Sequence, residues 1–226
     1  PADDKEPSMV EYLTGYLLEE GAVTEASLHT FRPSVCNRLD RNTSGIVAAG
    51  KTLAGLQELS GLFHDRSLHK FYRCLVKGVI KNEKYIKGYL HKDEKCNKVT
   101  VQEKETPGAL PIETRYRPLG DNGSVTLLEV ELITGRTHQI RAHLSGTGHP
   151  LVGDYKYGSR AFNEEYRKKY GLKSQLLHAY RLEIPEIPGR LSYLSGREFT
   201  APLPRQFQNI LKEEHVEENK SYENLA

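Results

Sequence analysis

Ile112-Glu113-Thr114-Arg115-Tyr116-Arg117-Pro118-Leu119-Gly120-Asp121-Asn122-Gly123-Ser124-Val125-Thr126-Leu127-Leu128-Glu129-Val130-Glu131-Leu132-Ile133 reads as two strands, Ile112–Leu119 and Ser124–Ile133, joined at Asp121-Asn122-Gly123. Asn-Gly tolerates the positive backbone angles of a tight hairpin turn, so the two strands are expected to pair antiparallel. Val125, Leu127, Val130 and Leu132 supply the apolar positions of the second strand, with a change of phase near Leu128. A chain organised around such a hairpin points to an antiparallel or mixed sheet rather than to parallel βαβ units.

Working outward, the same pattern continues on the N-terminal side. Tyr85–Val101 reads as a hairpin across a charged turn near Asp93 to Asn97, and Pro107–Pro111 as a loop. His69–Gly78 has the β-branched and aromatic composition of a strand. Thr52 is placed to cap a helix through about His64, with Leu53, Leu56, Leu59 and Phe63 on its buried face. Ile46–Ala49 reads as a strand. Ser8-Met9-Val10-Glu11 is a capping-box pattern, and Val10, Leu13 and Leu17 continue it at helical spacing to a stop at Gly21.

On the C-terminal side, Gly135 ends the second strand of the hairpin. Thr137 is the expected N-cap of a short helix that Gly146 and Gly148 terminate. On that helix His138, Arg141 and Ser145 share one face while Ile140 and Leu144 point to the core. Asp154–Lys173 is basic and flexible-looking, Leu176–Leu182 is a strand, and Leu191–Ala201 a hairpin around Ser195-Gly196. Pro204 opens a helix to about Glu214, and the acidic tail beyond it is expected to fray. There is no internal repeat, strands outnumber helices, and the fold class is α+β with one large sheet.

At 226 residues the chain can hold one full core with short extensions. It opens on Pro1, and its sole methionine is Met9, which reads as a piece of a longer protein or as a processed start. No stretch has the length of a membrane span or the apolar core of a signal peptide, so a cytoplasmic protein is expected. Cys36, Cys74 and Cys96 are odd in number and far apart, giving neither a disulfide framework nor a zinc spacing. The total charge of +2 conceals a division. Residues 1–25 carry seven acids against one lysine, and Lys212 to Ala226 five against two, which leaves +11 on the body between. A basic body is compatible with a polyanionic partner, although a solvated mixed-charge surface fits as well.

Three stretches carry candidate chemistry. In Asn37-Arg38-Leu39-Asp40-Arg41-Asn42-Thr43-Ser44-Gly45 a carboxylate stands between two guanidinium groups just ahead of an apolar run. Alone, an aspartate before Thr-Ser-Gly reads as a turn-capping residue before it reads as a nucleophile. The plainer alternatives are that Tyr72 is a strand tyrosine in a cleft wall and Arg141 a surface charge. His138, His143 and His149 lack metal spacing, and no Gly-x-Ser-x-Gly, P-loop or Gly-x-Gly-x-x-Gly run occurs.

Together the stretches are more specific. Asn37 to Gly45 resembles the His-Arg-Leu-Asp-x-x-Thr-Ser-Gly motif of the RluA/RluD family of RNA pseudouridine synthases. Lys70-Phe71-Tyr72-Arg73-Cys74-Leu75-Val76-Lys77-Gly78 resembles that family's Lys-x-Tyr-x-Ala-x-Val-x-Gly strand. Gly135 to His143, with Gly148-His149-Pro150-Leu151-Val152-Gly153-Asp154, resembles its third motif, and the match runs in order over roughly residues 35–205. The resemblance implies the pseudouridine synthase fold, a central mixed, largely antiparallel sheet flanked by helices with an RNA-binding cleft. It implies a catalytic domain over 31–211, between a helical extension (1–30) and an acidic tail (212–226). An S4-type RNA-binding module, frequent in the family, has no room before Ser8 and is expected upstream or absent.

Position by position, the resemblance implies Asp40 as the catalytic aspartate that attacks the target uridine, Tyr72 as the ring stacked on the flipped base and placed for proton transfer, and Arg141 as the partner of the aspartate. Arg38 would fill the gap left in the RNA, and Arg41, Arg136 and His138 would bind RNA. Asn37 departs from the family's histidine, which puts only a supporting contact in question. The implied reaction is isomerisation of uridine to pseudouridine in ribosomal or transfer RNA, with large-subunit ribosomal RNA the first expectation. It breaks and remakes one bond within a nucleotide, so no cofactor or metal is expected; nor is a membrane, and the chain is expected to act as a monomer. A free aspartate, with a pKa of about 3.9, is ionised at neutral pH, so Arg141 is expected to position the carboxylate rather than deprotonate it. An RNA-binding module without activity, or an RNA hydrolase, are the alternatives; the hydrolase needs a second carboxylate, which this reading does not find in the motifs.

Overall fold

The computed structural model describes residues 6–93 and 98–218. Asn122 closes the central hairpin by accepting the N–H groups of Ser124 and Val125 at 2.9 and 3.0 Å, while Gly123 takes the positive φ of 87° that the turn needs. In chain order the elements are α1 (Met9–Glu19), α2 (Glu25–Leu28), β1 (Ser34–Val35), β2 (Ser44–Gly45), β3 (Ala49–Gly50), α3 (Leu53–His64), β4 (His69–Lys77), β5 (Lys84–Asp93), β6 (Lys98–Gln102), β7 (Leu110–Asp121) and β8 (Val125–Leu132). There follow α4 (Gln139–Gly146), α5 (Arg160–Tyr170), β9 (Leu177–Glu183), a 3₁₀ turn (Ser192–Leu194), β10 (Glu198–Thr200) and α6 (Arg205–Glu213).

The described residues fall into two units, one from residues up to 38 with 47–68 and 183–198, the other from 39–46, 69–182 and 199 onward. In the first, Ser8 and Glu11 form the reciprocal capping box at the start of α1, and Leu17 is wholly buried. β1 and β3 pair antiparallel. Thr52 caps α3 through the Gly55 N–H, as expected. Leu53 is not on the packed face: it is 52% exposed. Gly50 meets α3 at Leu56, where an added Cβ would fall 2.4 Å from the Leu56 Cα, so packing begins one turn after Leu53.

The second unit is built on an eight-stranded sheet in the order β10-β9-β4-β8-β7-β5-β6, with β2 paired parallel to β9. The β4–β8, β8–β7, β7–β5 and β5–β6 pairs are antiparallel, which makes the sheet mixed and largely antiparallel. One face carries Tyr72, Cys74, Val76, Tyr116, Leu128 and Val130 against Ile140 and Leu144 of α4. The other carries Leu75, Val125 and Leu127 against Tyr166 of α5 and Phe207 and Ile210 of α6. Coverage on both faces explains the phase change at Leu128, because a strand buried on both sides has no polar face to alternate with. Each fully buried aliphatic side chain contributes about 1.5–3 kcal/mol.

Four expectations are corrected. Ile46–Ala49 is not a strand: the chain pairs at Ser44–Gly45 and at Ala49–Gly50, and the half-buried residues between link two short pairings. Pro107–Pro111 is only partly a loop, since β7 begins at Leu110; Pro111 lies where β7 pairs only with β5, before β8 joins at Thr114, so its missing N–H is tolerated. Asp154–Lys173 holds a regular helix, α5, capped by Ser159 and ended by Gly171 at φ 66°. The sequence signal was the stripe Phe162, Tyr166, Tyr170, whose rings pack at 5.1 and 5.6 Å. Leu191–Ala201 is not a hairpin: Ser195 Oγ bonds both N–H and C=O of Ile187, Ser192–Leu194 coils, and only Glu198–Thr200 is a strand. The charged turn at residues 94–97, which includes Cys96, and most of the acidic tail lie outside the described residues.

Candidate active site

The Asp40 loop is a tight turn before it is anything else. Thr43 N–H bonds the Asp40 carbonyl at 2.9 Å, and Asn42 takes φ 68°. Gln175 Nε2 donates to the Arg41 carbonyl at 2.9 Å, which ties the turn to the residues ahead of β9. Ser44 Oγ bonds His178 Nδ1 at 2.8 Å, and His178 Nε2 faces the Ala201 carbonyl at 3.1 Å. A carbonyl only accepts, so Nε2 carries the proton and Nδ1 accepts from the serine. Gly45, at φ 114°, lets the loop lie against β9, since a Cβ there would fall 2.2 Å from the Ala179 carbonyl oxygen. Turn chemistry and an aspartate facing a functional partner are therefore compatible at one position.

That partner stands on α4. The helix begins differently from expectation: Thr137 does not cap it, and His138 in the left-handed region (φ 54°) precedes Gln139. No side chain caps α4; the buried Gln139 amide instead ties its start to β7 and to the turn ahead of it. It accepts from Arg136 N–H at 3.1 Å and Thr134 Oγ at 2.7 Å, and donates to the Glu113 carbonyl at 2.9 Å and Thr114 Oγ at 3.1 Å. Ile140 and Leu144 anchor the opposite side in the core, as their spacing requires.

Arg141 is not a surface charge. It is 7% exposed, and donates from Nε to Asp154 Oδ2 at 2.7 Å and from Nη2 to Asp154 Oδ1 at 3.0 Å. Its Nη1 lies 3.5 Å from Asp40 Oδ2. Burial works against the guanidinium charge, but the Asp154 hydrogen bonds and the charges of Asp154 and Asp40 outweigh it and raise the pKa. Asp154 is itself fixed. Its Oδ1 accepts the N–H groups of Lys156 and Tyr157 at 2.9 and 3.1 Å, and its carbonyl accepts from Asn163 at 2.9 Å. Sequence reading assigned Asp154 no role and found no second carboxylate in the motifs; the site holds one, with both oxygens engaged in holding Arg141. The signal available was an acid closing the third motif.

Tyr157 was also missed. Its ring lies 5.2 Å from Arg141 Cζ, its carbonyl accepts from Ser145 Oγ at 2.7 Å, and its hydroxyl accepts the Val99 N–H at 3.0 Å. The hydroxyl proton is thereby left for His138 Nδ1, 2.9 Å away. A neutral imidazole fits this arrangement: burial lowers the His138 pKa, with Asp40 opposing.

Tyr72, on β4, is buried in the cluster that also packs Leu39 and Ile140. Burial and the Asp40 charge push its phenol above the ordinary value, so it is protonated at neutral pH. Asp40, Tyr72, Arg141 and His138 thus belong to one unit. Arg41 is exposed on the loop, and Arg136 stands at the entry to α4, with Nε buried and without a hydrogen bond among the described residues. Arg38 belongs to the other unit, where Asn37 Oδ1 accepts the Ala48 N–H at 2.8 Å.

Comparison with known proteins adds the context. A family model described as RNA pseudouridylate synthase matches residues 7–146. The chain is 34% identical over 211 residues to the ribosomal large subunit pseudouridine synthase C of Vibrio parahaemolyticus, covering 91% of this chain and 64% of that protein. It is 36% identical over 193 residues to an RNA pseudouridine synthase of Chloroflexus aurantiacus, covering 84% of this chain and 56% of that one. It therefore spans less than two thirds of the length of these relatives. A solved structure, human RNA pseudouridylate synthase domain containing 4, superposes with a TM-score of 0.67 at 24% identity, covering 84% of this chain and 80% of that one, and so shares the fold.

Proposed function

Because the chain belongs to the RNA pseudouridylate synthase family, we propose that it isomerises uridine to pseudouridine in RNA with Asp40 as the catalytic carboxylate. The observation that carries this reading is the division of Arg141 between two acids. Asp154 takes two of its donors and leaves Nη1 facing Asp40. A carboxylate so placed is oriented without being consumed by a full salt bridge, which is what a nucleophile requires.

The net reaction breaks the bond from uracil N1 to the ribose C1′ and forms one from C5 to C1′, with loss of the C5 proton and protonation of N1. Nothing else is consumed, so no cofactor is invoked. Asp40 attacks the ribose or the uracil ring, and Arg141 holds it in geometry and keeps it charged once RNA excludes water. Tyr72 stacks on the extruded base, and its protonated hydroxyl is suited to donate or relay a proton. Arg38 fills the gap in the RNA, and Arg41, Arg136 and His138 contact it, the neutral His138 through hydrogen bonds rather than charge. Residues 31–211 form the catalytic domain.

The name of the Vibrio relative favours large-subunit ribosomal RNA as the target. No helix among the described residues is long and apolar enough to cross a membrane, and we place the reaction in the cytoplasm, carried out by a monomer. Mapping pseudouridines in large-subunit RNA from cells with and without the protein tests the assignment. At least one site disappears with the protein; identical maps would remove this substrate.

A further inference from the structure

Tyr157 is fastened to three parts of the chain at once. Its N–H bonds Asp154 Oδ1 at 3.1 Å, its carbonyl accepts from Ser145 Oγ on α4 at 2.7 Å, and its hydroxyl accepts the Val99 N–H of β6 at 3.0 Å. The ring packs on the buried cluster of Leu90, Val99, Ile112 and Ala142, and Arg141 Cζ lies 5.2 Å from its centre. The phenol therefore has a fixed place and a fixed direction. Its oxygen already accepts the Val99 N–H, so its proton is left to give, and His138 Nδ1 stands 2.9 Å away to take it.

His138 sits in a backbone conformation that a residue other than glycine adopts at a cost, with φ 54°, yet its side chain caps no N–H of α4. The helix start gives no reason for a histidine there; the placement of the ring does. The Tyr157 hydroxyl is the hydrogen-bond partner of that ring, and Nε2 has none among the described residues. A neutral imidazole whose Nδ1 accepts carries its proton on Nε2, which makes Nε2–H a donor without a protein acceptor. Burial favours the neutral ring, and the charge of Asp40 reaches it. Arg141 spans the same space, 3.5 Å from Asp40 at one nitrogen and against the Tyr157 ring.

We propose, on the basis of the isomerisation proposed above, that Tyr157 is a positioning residue for that reaction. Its hydroxyl orients His138 as the Nε2–H tautomer, and His138 donates that hydrogen bond to an oxygen of the target nucleotide beside Asp40. An imidazole turned the other way would present a lone pair, which repels an oxygen. Uracil carbonyls, ribose hydroxyls and phosphates all offer acceptor oxygens, so the group recognised is an oxygen acceptor. Tyr157 acts through His138 and not on the nucleotide itself.

Tyr157→Phe removes the hydroxyl and keeps the ring in its cluster. Nitrogen NMR of the free protein, at a pH where the imidazole is neutral, should show His138 Nδ1 unprotonated and hydrogen-bonded in wild type, with that hydrogen-bond shift lost in Tyr157→Phe. Single-turnover isomerisation should slow about tenfold in Tyr157→Phe, the order of one hydrogen bond, with RNA affinity within a few-fold of wild type. The same substitution added to His138→Ala should cost nothing further, because no imidazole remains to be oriented. A structural loss through the Val99 N–H, left without its acceptor, would slow both backgrounds alike, and that outcome overturns the proposal. So does a wild-type His138 protonated on Nδ1. Sulfur in place of either uracil carbonyl oxygen identifies the acceptor: slowing in wild type that His138→Ala lacks assigns a carbonyl, and equal slowing in both assigns a ribose or phosphate oxygen. A wild type unable to isomerise uridine would overturn the function and this role with it, whereas an active wild type with additive variants overturns the role alone.

Discussion

Asp154 holds Arg141 by two hydrogen bonds, at 2.7 and 3.0 Å, from a position with no solvent exposure of its own side chain. Two parallel bonds fix the plane of a guanidinium as well as its position. The remaining Nη1 is aimed at Asp40 by that constraint rather than by attraction to Asp40 alone.

Asp154→Asn keeps the shape but removes the charge opposite a buried arginine. Breaking one partner of a buried pair costs about 3–5 kcal/mol, so urea denaturation should show a loss of that order. The rate of isomerisation should fall with RNA affinity little changed. Wild-type stability in this variant would mean that Arg141 finds its support elsewhere.

Gly45→Ala tests the loop that carries Asp40. A Cβ at this position meets the Ala179 carbonyl in a backbone conformation that alanine avoids. A strained φ costs about 1–3 kcal/mol by itself, and the clash adds to it. Reduced stability and slowed chemistry are expected together, and a variant as stable and active as wild type would show that the close approach does not constrain the loop.

The fold was legible where one local rule decided the outcome. The Asn122-Gly123 turn, the Ser8–Glu11 box and the Thr52 cap each act within a few residues, and each formed as read. Helix α5 was misread because its Lys and Arg content suggested a mobile segment while the Phe162-Tyr166-Tyr170 stripe carried the packing. At the site, Asp40, Tyr72 and Arg141 came from motif resemblance. Asp154 and Tyr157 escaped because they lie 13 and 16 positions on, in irregular chain beyond the end of α4, where no periodicity says what touches Arg141. Likewise Thr137 has the right residue type for a cap, but no side chain caps α4, and Gln139 fastens the start of the helix to Thr134 and Glu113 instead.

His143 sets a pH dependence. It is buried beside Thr114, with Nδ1 3.0 Å from the hydroxyl, and burial pushes its pKa down to about 4, partly offset by a hydrogen bond to the Lys87 backbone. The folded state therefore binds fewer protons than the unfolded state between about pH 6.5 and 4. Its contribution is present in full above pH 6.5 and is lost as pH falls through that window. Between pH 7 and 5 the loss should be on the order of 2 kcal/mol, and His143→Gln should remove most of it. Urea titrations of both proteins at the two pH values measure this; equal pH slopes would rule His143 out as the source.

Tyr72 performs two separable tasks under the proposed mechanism. Tyr72→Phe keeps the ring and should bind RNA within a few-fold of wild type, yet turn over at least about a hundredfold more slowly, the range of a positioned acid–base group. Tyr72→Leu should also lose the stacking contribution of about 1–3 kcal/mol. Unchanged single-turnover chemistry in the phenylalanine variant would reduce Tyr72 to a stacking surface.

The most direct test concerns Asp40. Large-subunit RNA carrying tritium at uridine C5 loses that label when C5 becomes bonded to the ribose, so tritium release reports isomerisation itself. Single-turnover release should be readily measured with wild type and abolished by Asp40→Asn, which removes the nucleophile while leaving RNA affinity within a few-fold. Multiple turnover by Asp40→Asn would contradict the assignment of Asp40 as the catalytic carboxylate.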